Sequence, residues 1–490
     1  MEWKTKAGEI ILILNMYPYL AKVPDAKRGE ARAAAFLNTA LIEGARALSK
    51  PANAKLAAMK VVLVSIKDMN EYGAGKGGWT EIGTTVVARK DKIVSFDDVR
   101  LTPDAGKVPA SFPTVPFPYS EVSVVANAGT VRFLMPKAIY LVAGIEQKFF
   151  YENAVLARES DEYVFVPGGA ALAFATQARR ALEFAPQAAN IGQHVLTLKV
   201  TDWAGKLIAE GATTVIVSPP AKPVPKRATP PRVLIIGHSL ASMYWPAYLA
   251  DYLAMPGLPP VEFVGSIRYW YGSYPDMKNN PPLDRMYHEG SPGYSVQTLL
   301  TLYSDQPSPN PNMPPQSPFL FKDANGHPKM DMQRYVKERL NGNVPDYIVL
   351  NVGDNDTFGM NPDEKNSAVE RDFVKNMNAF LDHLHRMAPR AVIGAMLPNT
   401  YNYSERAFTF NYGPAYPRWK QMQNRQRYIE LMSRIASSRA YMNLIPSNFV
   451  VDGVDGMPYN SGTHFNNVGA RQFAGAAFAW LNFHLAKARH

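Results

Sequence analysis

Two hydrophobic patterns divide most of the chain. Between about residues 130 and 217, short runs alternate apolar and polar positions, and Gly, Asp and Asn separate the runs. The stretches KAIYLVAG, HVLTLKVTD and TTVIVS are examples. Alternation with a period of two predicts half-buried strands, and a series of short strands with turn residues between them predicts an antiparallel β-sandwich.

From Arg232 onward, continuous apolar runs alternate with segments of helical periodicity. VLIIG, VEFVGS, YIVLNVG and AVIGAML are predicted strands, and the predicted helices are Tyr244–Leu253, Asp372–Met387, Arg425–Ser437 and Val468–Ala486. Buried strands interleaved with helices predict a three-layer α/β/α fold, with a parallel sheet covered on both faces. In such sheets binding and chemistry collect at the carboxyl ends of the strands.

The first 125 or so residues have a mixed pattern. Gly29–Leu48 is alanine-rich with helical spacing, whereas Lys60–Ile66 and Thr84–Ala88 have the character of strands. We predict a small α+β domain here and assign no role to it, because it contains no recognisable chemical motif.

A proline-rich stretch, SPPAKPVPKRATPPR, separates the two main patterns and predicts an extended, semi-rigid linker. The predicted division is therefore a small α+β domain at 1–125, an Ig-like β-sandwich at 126–217, a linker at 218–231 and an α/β domain at 232–490.

Composition narrows the chemistry. The 490 residues include no cysteine, which excludes disulfides, thiol nucleophiles and thiolate metal sites. The formal charge is +10, but Lys and Arg are scattered and no nucleic-acid motif accompanies them, so we expect no nucleic-acid partner. No apolar run reaches the ~18 residues of a membrane span. Ile10–Leu14 is too short for a signal-peptide core, and we favour a secreted or periplasmic protein in its mature form.

The stretch RVLIIGHSLASMYWP combines a buried strand with Gly-x-Ser and the start of a helix. This pattern places the hydroxyl of Ser239 at the end of a strand. A serine in this position is either a helix cap or a nucleophile. A nucleophile needs a base within hydrogen-bond reach and donors where the oxyanion forms.

Three later stretches offer such partners, each beside a predicted strand end or helix start. HEGSPGYSVQTL contains Gly293, whose N–H is a candidate donor, and YIVLNVGDNDTFG places the Asn355 amide at a strand end. NSGTHFNNVGARQF places His464 just before the last predicted helix.

Gly-x-Ser-Leu, a later glycine, Gly-x-Asn-Asp and a C-terminal histidine loop, in that order, resemble the SGNH (GDSL) hydrolase superfamily. PDYIVLNVGDNDTFG and FNYGPAYPRWKQMQNRQRYIE further resemble a bacterial group of multidomain carbohydrate-esterase-like SGNH proteins with an upstream β-sandwich. The resemblance covers roughly Thr130 to the C-terminus. It implies Ser239 as nucleophile, His464 as general base, and the N–H groups of Ser239 and Gly293 with the Asn355 side chain as oxyanion hole. It implies no metal or organic cofactor.

Two positions depart from the superfamily pattern. His238 stands where an aspartate usually precedes the serine, and Ser461 stands where an aspartate usually lies three residues before the histidine. An acceptor is needed to fix the imidazole tautomer. We expect a backbone carbonyl to take this role, with Asp452, Asp455 and Ser461 as further candidates. We expect Ser239 Oγ and a ring nitrogen of His464 to lie within about 4 Å.

Six residues are candidates for the substrate cleft because they stand in or near these blocks. They are His238, His288, Tyr269, Trp270, Arg418 and Trp419. For His238 we favour a structural role, and packing is an equal alternative for the aromatic cluster that contains Tyr269 and Trp270.

These features predict a serine esterase that hydrolyses O-acyl esters, most simply acetyl esters, on an oligo- or polysaccharide. The alternative from another class is a non-catalytic glycan-binding or structural protein on a degenerate SGNH scaffold, favoured by the two departures. An esterase for small acyl esters or lipids is a third reading, and no apolar lid-like segment supports it.

Overall fold

The structure is a computed structural model in which the chain forms two compact units, Met1–Val124 and Val125–His490. It describes four strand segments within residues 2–95, and residues 132–487 apart from 158–162, 224–228, 244, 270–277, 280, 307–314 and 365–366.

The first unit contains a four-stranded sheet in the order β1-β2-β3-β4. Its strands are β1 (Glu2–Lys4), β2 (Ile10–Ile13), β3 (Val61–Val64) and β4 (Ile93–Ser95). The β2 and β3 strands are parallel and the other pairs antiparallel. β3 lies within the predicted strand Lys60–Ile66, whereas the predicted helix Gly29–Leu48 and strand Thr84–Ala88 lie outside the described residues. The α+β assignment therefore stays a prediction.

The second unit begins with a β-rich region at residues 132–218. Its strands are β5 (Arg132–Phe133), β6 (Ala138–Val142), β7 (Gln147–Phe150), β8 (Val155–Leu156), β9 (Val164–Gly168), β10 (Ala175–Gln177), β11 (Ala181–Phe184), β12 (Gly192–Thr201) and β13 (Leu207–Ser218).

Two larger sheets dominate this β-rich region, in the orders β10-β11-β7 and β6-β13-β12-β9. Leu182 from the first sheet and Leu198 and Val215 from the second lie in one buried core, so the two sheets share an apolar interior. The pairing is antiparallel except between β6 and β13, which run parallel. The expectation of a purely antiparallel arrangement is wrong at this pair, and the Ig-like assignment stays a prediction.

The α/β region contains a seven-stranded, mostly parallel sheet in the order β16-β17-β14-β20-β21-β22, with β15 also paired to β14. β16 is the antiparallel member. The strands are β14 (Arg232–Gly237), β15 (Glu262–Val264), β16 (Ile267–Arg268), β17 (Tyr287–Gly290), β20 (Tyr347–Asn351), β21 (Val392–Met396) and β22 (Met442–Ile445), with a separate hairpin of β18 (Leu320–Lys322) and β19 (Pro328–Met330).

Helices cover both faces of this sheet. They are α1 (Ser239–Met243), α2 (Trp245–Leu253), α3 (Val296–Thr301), α4 (Met332–Glu338), α5 (Asp354–Thr357), α6 (Ala368–Met387), α7 (Glu405–Tyr412), α8 (Arg418–Ser437) and α9 (Asn467–Lys487). Successive residues of β14 point to opposite faces. Val233 and Ile235 pack with α2 and α9, whereas Leu234 and Ile236 share a core with α3, α4, α6 and α8. The predicted parallel sheet between helical layers is confirmed.

Two helices begin earlier than their apolar periodicity predicted. α6 begins after Ser367, whose side chain accepts a hydrogen bond from Glu370 N, and α8 begins after Pro417. A serine N-cap and a proline with fixed φ are helix-start signals that the periodicity of apolar residues does not report. No helix in the described part of the chain is both long and apolar enough to span a membrane.

The first residues of the predicted linker are bound to the last helix. Asn482 in α9 accepts a hydrogen bond from Ala221 N at 2.8 Å and donates to Pro219 O and Ser218 Oγ at 2.9 Å. The described part of the linker therefore docks the β-rich region onto the α/β region. Residues 224–228 of the linker lie outside the described residues.

Candidate active site

Ser239 lies where β14 meets α1. The turn between them is tight, because a Cβ on Gly237 would lie 2.5 Å from Ala241 Cβ and 2.8 Å from Asn351 O. Only glycine fits this approach without displacing the neighbouring strand. As the first residue of α1, Ser239 has a backbone N–H without an intrahelical acceptor. The hydroxyl and this N–H are therefore both presented at the carboxyl end of β14.

His464 lies beside Ser239, on the loop between β22 and α9. Its Nε2 is 2.9 Å from Ser239 Oγ, which is within the distance predicted from the order of the blocks. Side chains from the segment after β21 hold this loop: Asn399 Nδ2 donates to Thr463 O at 2.7 Å, and Asn402 Nδ2 donates to Ser461 O at 3.0 Å. These two asparagine side chains bind backbone carbonyls of the loop and so fix the position of His464 relative to Ser239.

The other ring nitrogen of His464 faces a hydroxyl. Nδ1 is 3.3 Å from Thr463 Oγ1, and the Tyr412 hydroxyl forms a hydrogen bond with the same oxygen. If Nδ1 carries the ring proton, Nε2 is the acceptor that Ser239 needs. The sequence analysis did not single out Thr463 or Tyr412. The position of Thr463 directly before the histidine was a weak indication that its hydroxyl contacts the ring. No sequence pattern indicated a contact of Tyr412 with the site.

The carboxylates proposed to orient His464 are engaged elsewhere. Asp452 is buried, and its Oδ1 accepts a hydrogen bond from Arg180 Nη2 at 2.6 Å. The expectation that this carboxylate orients the imidazole of His464 is therefore wrong. Asp455 is exposed, and its backbone rather than its carboxylate makes the contacts to Asp452 and Asn466. Ser461 acts on the backbone, since its Oγ accepts from His464 N at 3.0 Å. It positions the residue without contacting the ring.

The proposed oxyanion donors Gly293 and Asn355 belong to neighbouring loops. Asn355 lies in α5 after β20, and its Nδ2 donates to Tyr294 O at 2.8 Å. This bond uses one of the two amide hydrogens. Gly293, the residue before Tyr294, has φ +77° and is exposed. The structure therefore brings the Asn355 amide next to the Gly293 loop.

Asp356 locks these two loops together. Its carboxylate accepts hydrogen bonds from Val296 N at 2.8 Å and 3.0 Å, and so ties α5 to the start of α3. Gly353, just before α5, has φ +105°, and a Cβ there would lie 2.2 Å from the ring of Tyr428. The tight turn and the carboxylate together fix where the Asn355 amide lies.

His238 is a buried neighbour of the site rather than a wall of a cleft. It is only 3 % exposed, and its Nε2 lies 2.9 Å from Asp354 Oδ2. The favoured structural role fits this pairing, and the cleft assignment does not.

Burial is the main cause that lowers the pKa of His464, to about 4, and the charge of His238 lowers it further, whereas Asp354 raises it. An imidazole with this pKa is neutral at pH 7, and only the neutral ring accepts a proton from serine.

Two of the other cleft candidates are buried in the protein interior. His288 is 0 % exposed, because β17 is covered on both faces and Glu289 beside it is buried as well, and burial lowers the pKa of His288 to about 4. Tyr269 is buried against it, with ring centroids 5.9 Å apart, and its hydroxyl donates to Met243 O. The cleft assignment is wrong for both residues.

The remaining cleft candidates are Trp270, Arg418 and Trp419. Trp270 lies outside the described residues. Arg418 and Trp419 are half-buried at the start of α8, where Arg418 Nε donates to Asn402 O at 2.9 Å. Asn402 in turn binds the loop of His464, so Arg418 supports this loop through Asn402. A role of Trp419 toward substrate stays a prediction.

Comparison with known proteins gives matches to solved structures only. No family model and no curated protein matches the chain. Similar solved structures include a carbohydrate esterase family 3 protein from Talaromyces cellulolyticus, with TM-score 0.34 and 13% identity over 52% of this chain and 99% of that chain. A family 3 carbohydrate esterase from Clostridium thermocellum gives 0.33 and 14% over 54% and 100%. The inhibitor-bound aryl esterase from M. smegmatis gives 0.31 and 14% over 52% and 99%.

At these TM-scores and identities the likeness supports no conclusion about this chain. It cannot carry an activity over to this chain, so the assignment of an activity rests on the geometry around Ser239.

Proposed function

We propose that this protein is a serine esterase of the SGNH type that removes O-acyl groups, most simply acetyl, from carbohydrate. The observation that carries the proposal is the hydrogen bond of 2.9 Å between Ser239 Oγ and His464 Nε2 at the carboxyl end of β14. A neutral imidazole within hydrogen-bond reach of a serine hydroxyl is the pair that nucleophilic acyl transfer requires. The non-catalytic alternative has no comparable observation in its favour.

The proposed reaction begins when Ser239 Oγ attacks the acyl carbon while His464 Nε2 takes its proton. The Thr463 hydroxyl accepts from Nδ1 and holds the ring in the required tautomer. The carbonyl oxygen becomes an oxyanion, which the Ser239 and Gly293 N–H groups and the Asn355 amide stabilise. His464 then protonates the leaving sugar alcohol. A water molecule, activated by the same imidazole, releases the acid and restores the serine.

A carbohydrate substrate is the finer part of the proposal. It is supported by the resemblance of Pro345–Gly359 and Phe410–Glu430 to carbohydrate-esterase-like sequences, and by Tyr459, which is 62% exposed on the loop that carries His464. Exposed aromatic rings offer an apolar face to sugar rings.

Acetate release from a panel of acetylated polymers tests this function. Acetylated xylan and an acetylated uronic-acid polymer are compared with a small acetyl ester and a long-chain lipid ester. Release from a polymer is expected. Glycan binding without any acetate release would favour the non-catalytic alternative, and turnover of lipid or small esters alone would remove the carbohydrate specificity.

The activity is expected to persist in mild acid. Because the pKa of His464 is lowered to about 4, the base stays neutral as the pH falls through 6.5, and protonation removes it only near pH 4. The profile of kcat/KM between pH 3.5 and 8 is expected to be flat from about pH 5.5 upward. A fall of kcat/KM with an apparent pKa of 6.5 or above would show that the base is not the buried imidazole of His464.

Replacement of Asn355 by alanine is expected to lower kcat about 10²- to 10³-fold with little change in KM, because the amide acts on the oxyanion and not on the bound ester. Steady-state acetate release measures both constants. Asn361→Ala is a matched control, since Asn361 is an exposed asparagine whose side chain only caps the turn at Asp363. Equal kcat in the Asn355 variant and this control would remove Asn355 from the oxyanion hole.

A further inference from the structure

The β-rich region reaches the loop that carries His464. Arg180, next to β11, donates from Nη2 to Asp452 Oδ1 at 2.6 Å and from Nη1 to Asp452 Oδ2 at 3.4 Å. The same Nη2 donates to Glu152 Oε1 at 3.0 Å. One guanidinium from the β-rich region therefore binds a carboxylate of the α/β region, at the start of the loop between β22 and α9.

The backbone of this loop is held from the same side. Gly453 N donates to Glu152 Oε1 at 3.2 Å, and Asn153 Nδ2 donates to Val451 O at 2.9 Å. The rings of Phe149 and Phe449 stack with their centroids 5.2 Å apart and form the apolar part of the contact. Polar and apolar contacts from the β-rich region thus hold residues 449–453 of this loop.

Asp452 carries this contact into the loop. Its Oδ1 also accepts hydrogen bonds from Val454 N at 2.8 Å and Asp455 N at 3.2 Å, so the carboxylate shapes the turn that follows. Asp452 O accepts from Gly456 N at 3.0 Å, and Gly456 O accepts from Asn466 N at 3.0 Å. Asn466 is two residues beyond His464. Hydrogen bonds at Asp452 and Gly456 therefore link Arg180, through the backbone of these two residues, to Asn466 at the end of the loop.

The two carboxylates at this contact are buried, and the Arg180 side chain is 30% exposed. Glu152 is 8% and Asp452 6% exposed, and both lie on one arginine. Removal of the arginine would leave two buried carboxylates side by side, which is costly unless one takes a proton or the loop moves away. Burial already raises the pKa of Glu152, and Asp452 raises it further. Without Arg180, either Glu152 takes a proton and Asp452 loses its guanidinium partner, or the loop moves; in both cases Arg180 no longer holds the turn that Asp452 shapes.

We propose that Arg180 is a positioning residue for His464, and that the β-rich region is in this way an integral part of the active site. The inference rests on the proposed esterase function. Through Asp452, Arg180 fixes the turn from which the histidine loop departs, and so holds Nε2 against Ser239 Oγ. A displacement of about 1 Å at a reacting group can cost about 100-fold in rate.

The test compares Arg180→Met, Arg180→Lys, Asp452→Asn and the double variant Arg180→Met/Asp452→Asn in the full chain. Acetate release gives kcat and KM, a fluorophosphonate probe gives the rate of Ser239 labelling, and thermal unfolding gives Tm. Lys148→Met is the matched control, because Lys148 forms an exposed ion pair with Glu183 in the same β-rich region.

The expected result is that Arg180→Met and Asp452→Asn each lower kcat and the labelling rate about 10- to 100-fold with KM nearly unchanged. The double variant is expected to be no worse than the poorer single variant, because both substitutions break one linkage. Arg180→Lys keeps the charge but not the contact through two nitrogens, and its kcat should fall about 10-fold. This variant tests the inference even where Arg180→Met does not fold.

Variants with a lowered Tm but the kcat and labelling rate of the wild type, measured well below Tm, would overturn the inference, because the contact would then only stabilise the fold. Failure of the proposed function gives a different result. In that case the wild type itself releases no acetate and is not labelled by the probe.

Discussion

Ser239→Ala is expected to lose at least about 10⁴-fold in kcat and to keep only the residual rate that substrate binding and the oxyanion donors support. The oxyanion donors remain in place, but the methyl group of alanine has no lone pair with which to attack the acyl carbon. No acyl-enzyme can therefore form. Acetate release from the best polymer of the panel measures the loss. Labelling by the fluorophosphonate probe should disappear.

Ser242→Ala is the matched control for this loss. Ser242 lies three residues further along α1, is buried, and donates from its Oγ to Ser239 O at 3.0 Å. It shares the helix and the type of side chain but is not in contact with His464. We expect its kcat to stay within about threefold of the wild type. Turnover in Ser239→Ala comparable with that of Ser242→Ala would contradict the assignment of the nucleophile.

His464→Gln is expected to lower kcat about 10⁵-fold and to leave the binding of polymer unchanged. The reason is that glutamine keeps a polar side chain of similar reach but cannot take the proton of Ser239 at neutral pH. The rate of labelling of Ser239 should fall with kcat, since both depend on the same deprotonation. Steady-state kinetics with the pure variant and a binding assay with the acetylated polymer separate the two effects.

His383→Gln is the control for His464→Gln. His383 lies on α6, which supplies no residue of the site, and its Nδ1 is 3.1 Å from Arg386 Nη2. The same substitution there should leave kcat unchanged. If His464→Gln retained most of its activity, another group would have to be the base, and the dyad would be disproved.

The order of blocks along the chain was sufficient to predict that Ser239 and His464 meet. Parallel strands present their carboxyl ends at one edge, so residues that follow β14 and β20 are brought together whatever their distance in sequence. Ser239 and Asn355 belong to such ends, and His464 precedes a helix that packs on the same sheet. The spacing of apolar residues was enough to predict the strands and helices that carry Ser239, Asn355 and His464, but not the order of the strands in the sheet.

The orientation of individual side chains could not be predicted in the same way. Asp452 was expected near the imidazole, but its partner Arg180 lies 272 residues away in another sheet, and no local pattern reports such a pairing. For His288, both faces of β17 are covered, so His288 and Glu289 are both buried although the polar pattern YHEG gives no sign of a buried strand. The hydroxyl of Tyr412 reaches Thr463 only after α7 has packed.

The separation of Ser239 and His464 by 225 positions has a consequence for synthesis on the ribosome. The β-rich region and β14 emerge long before the loop of His464 and α9, yet Asn482 of α9 is what ties Ser218, Pro219 and Ala221 to the α/β region. A nascent chain that has not yet exposed α9 lacks the base, one helical layer and this tie. We therefore expect a nascent chain to remain inactive and open to proteases until the last helix has left the exit tunnel.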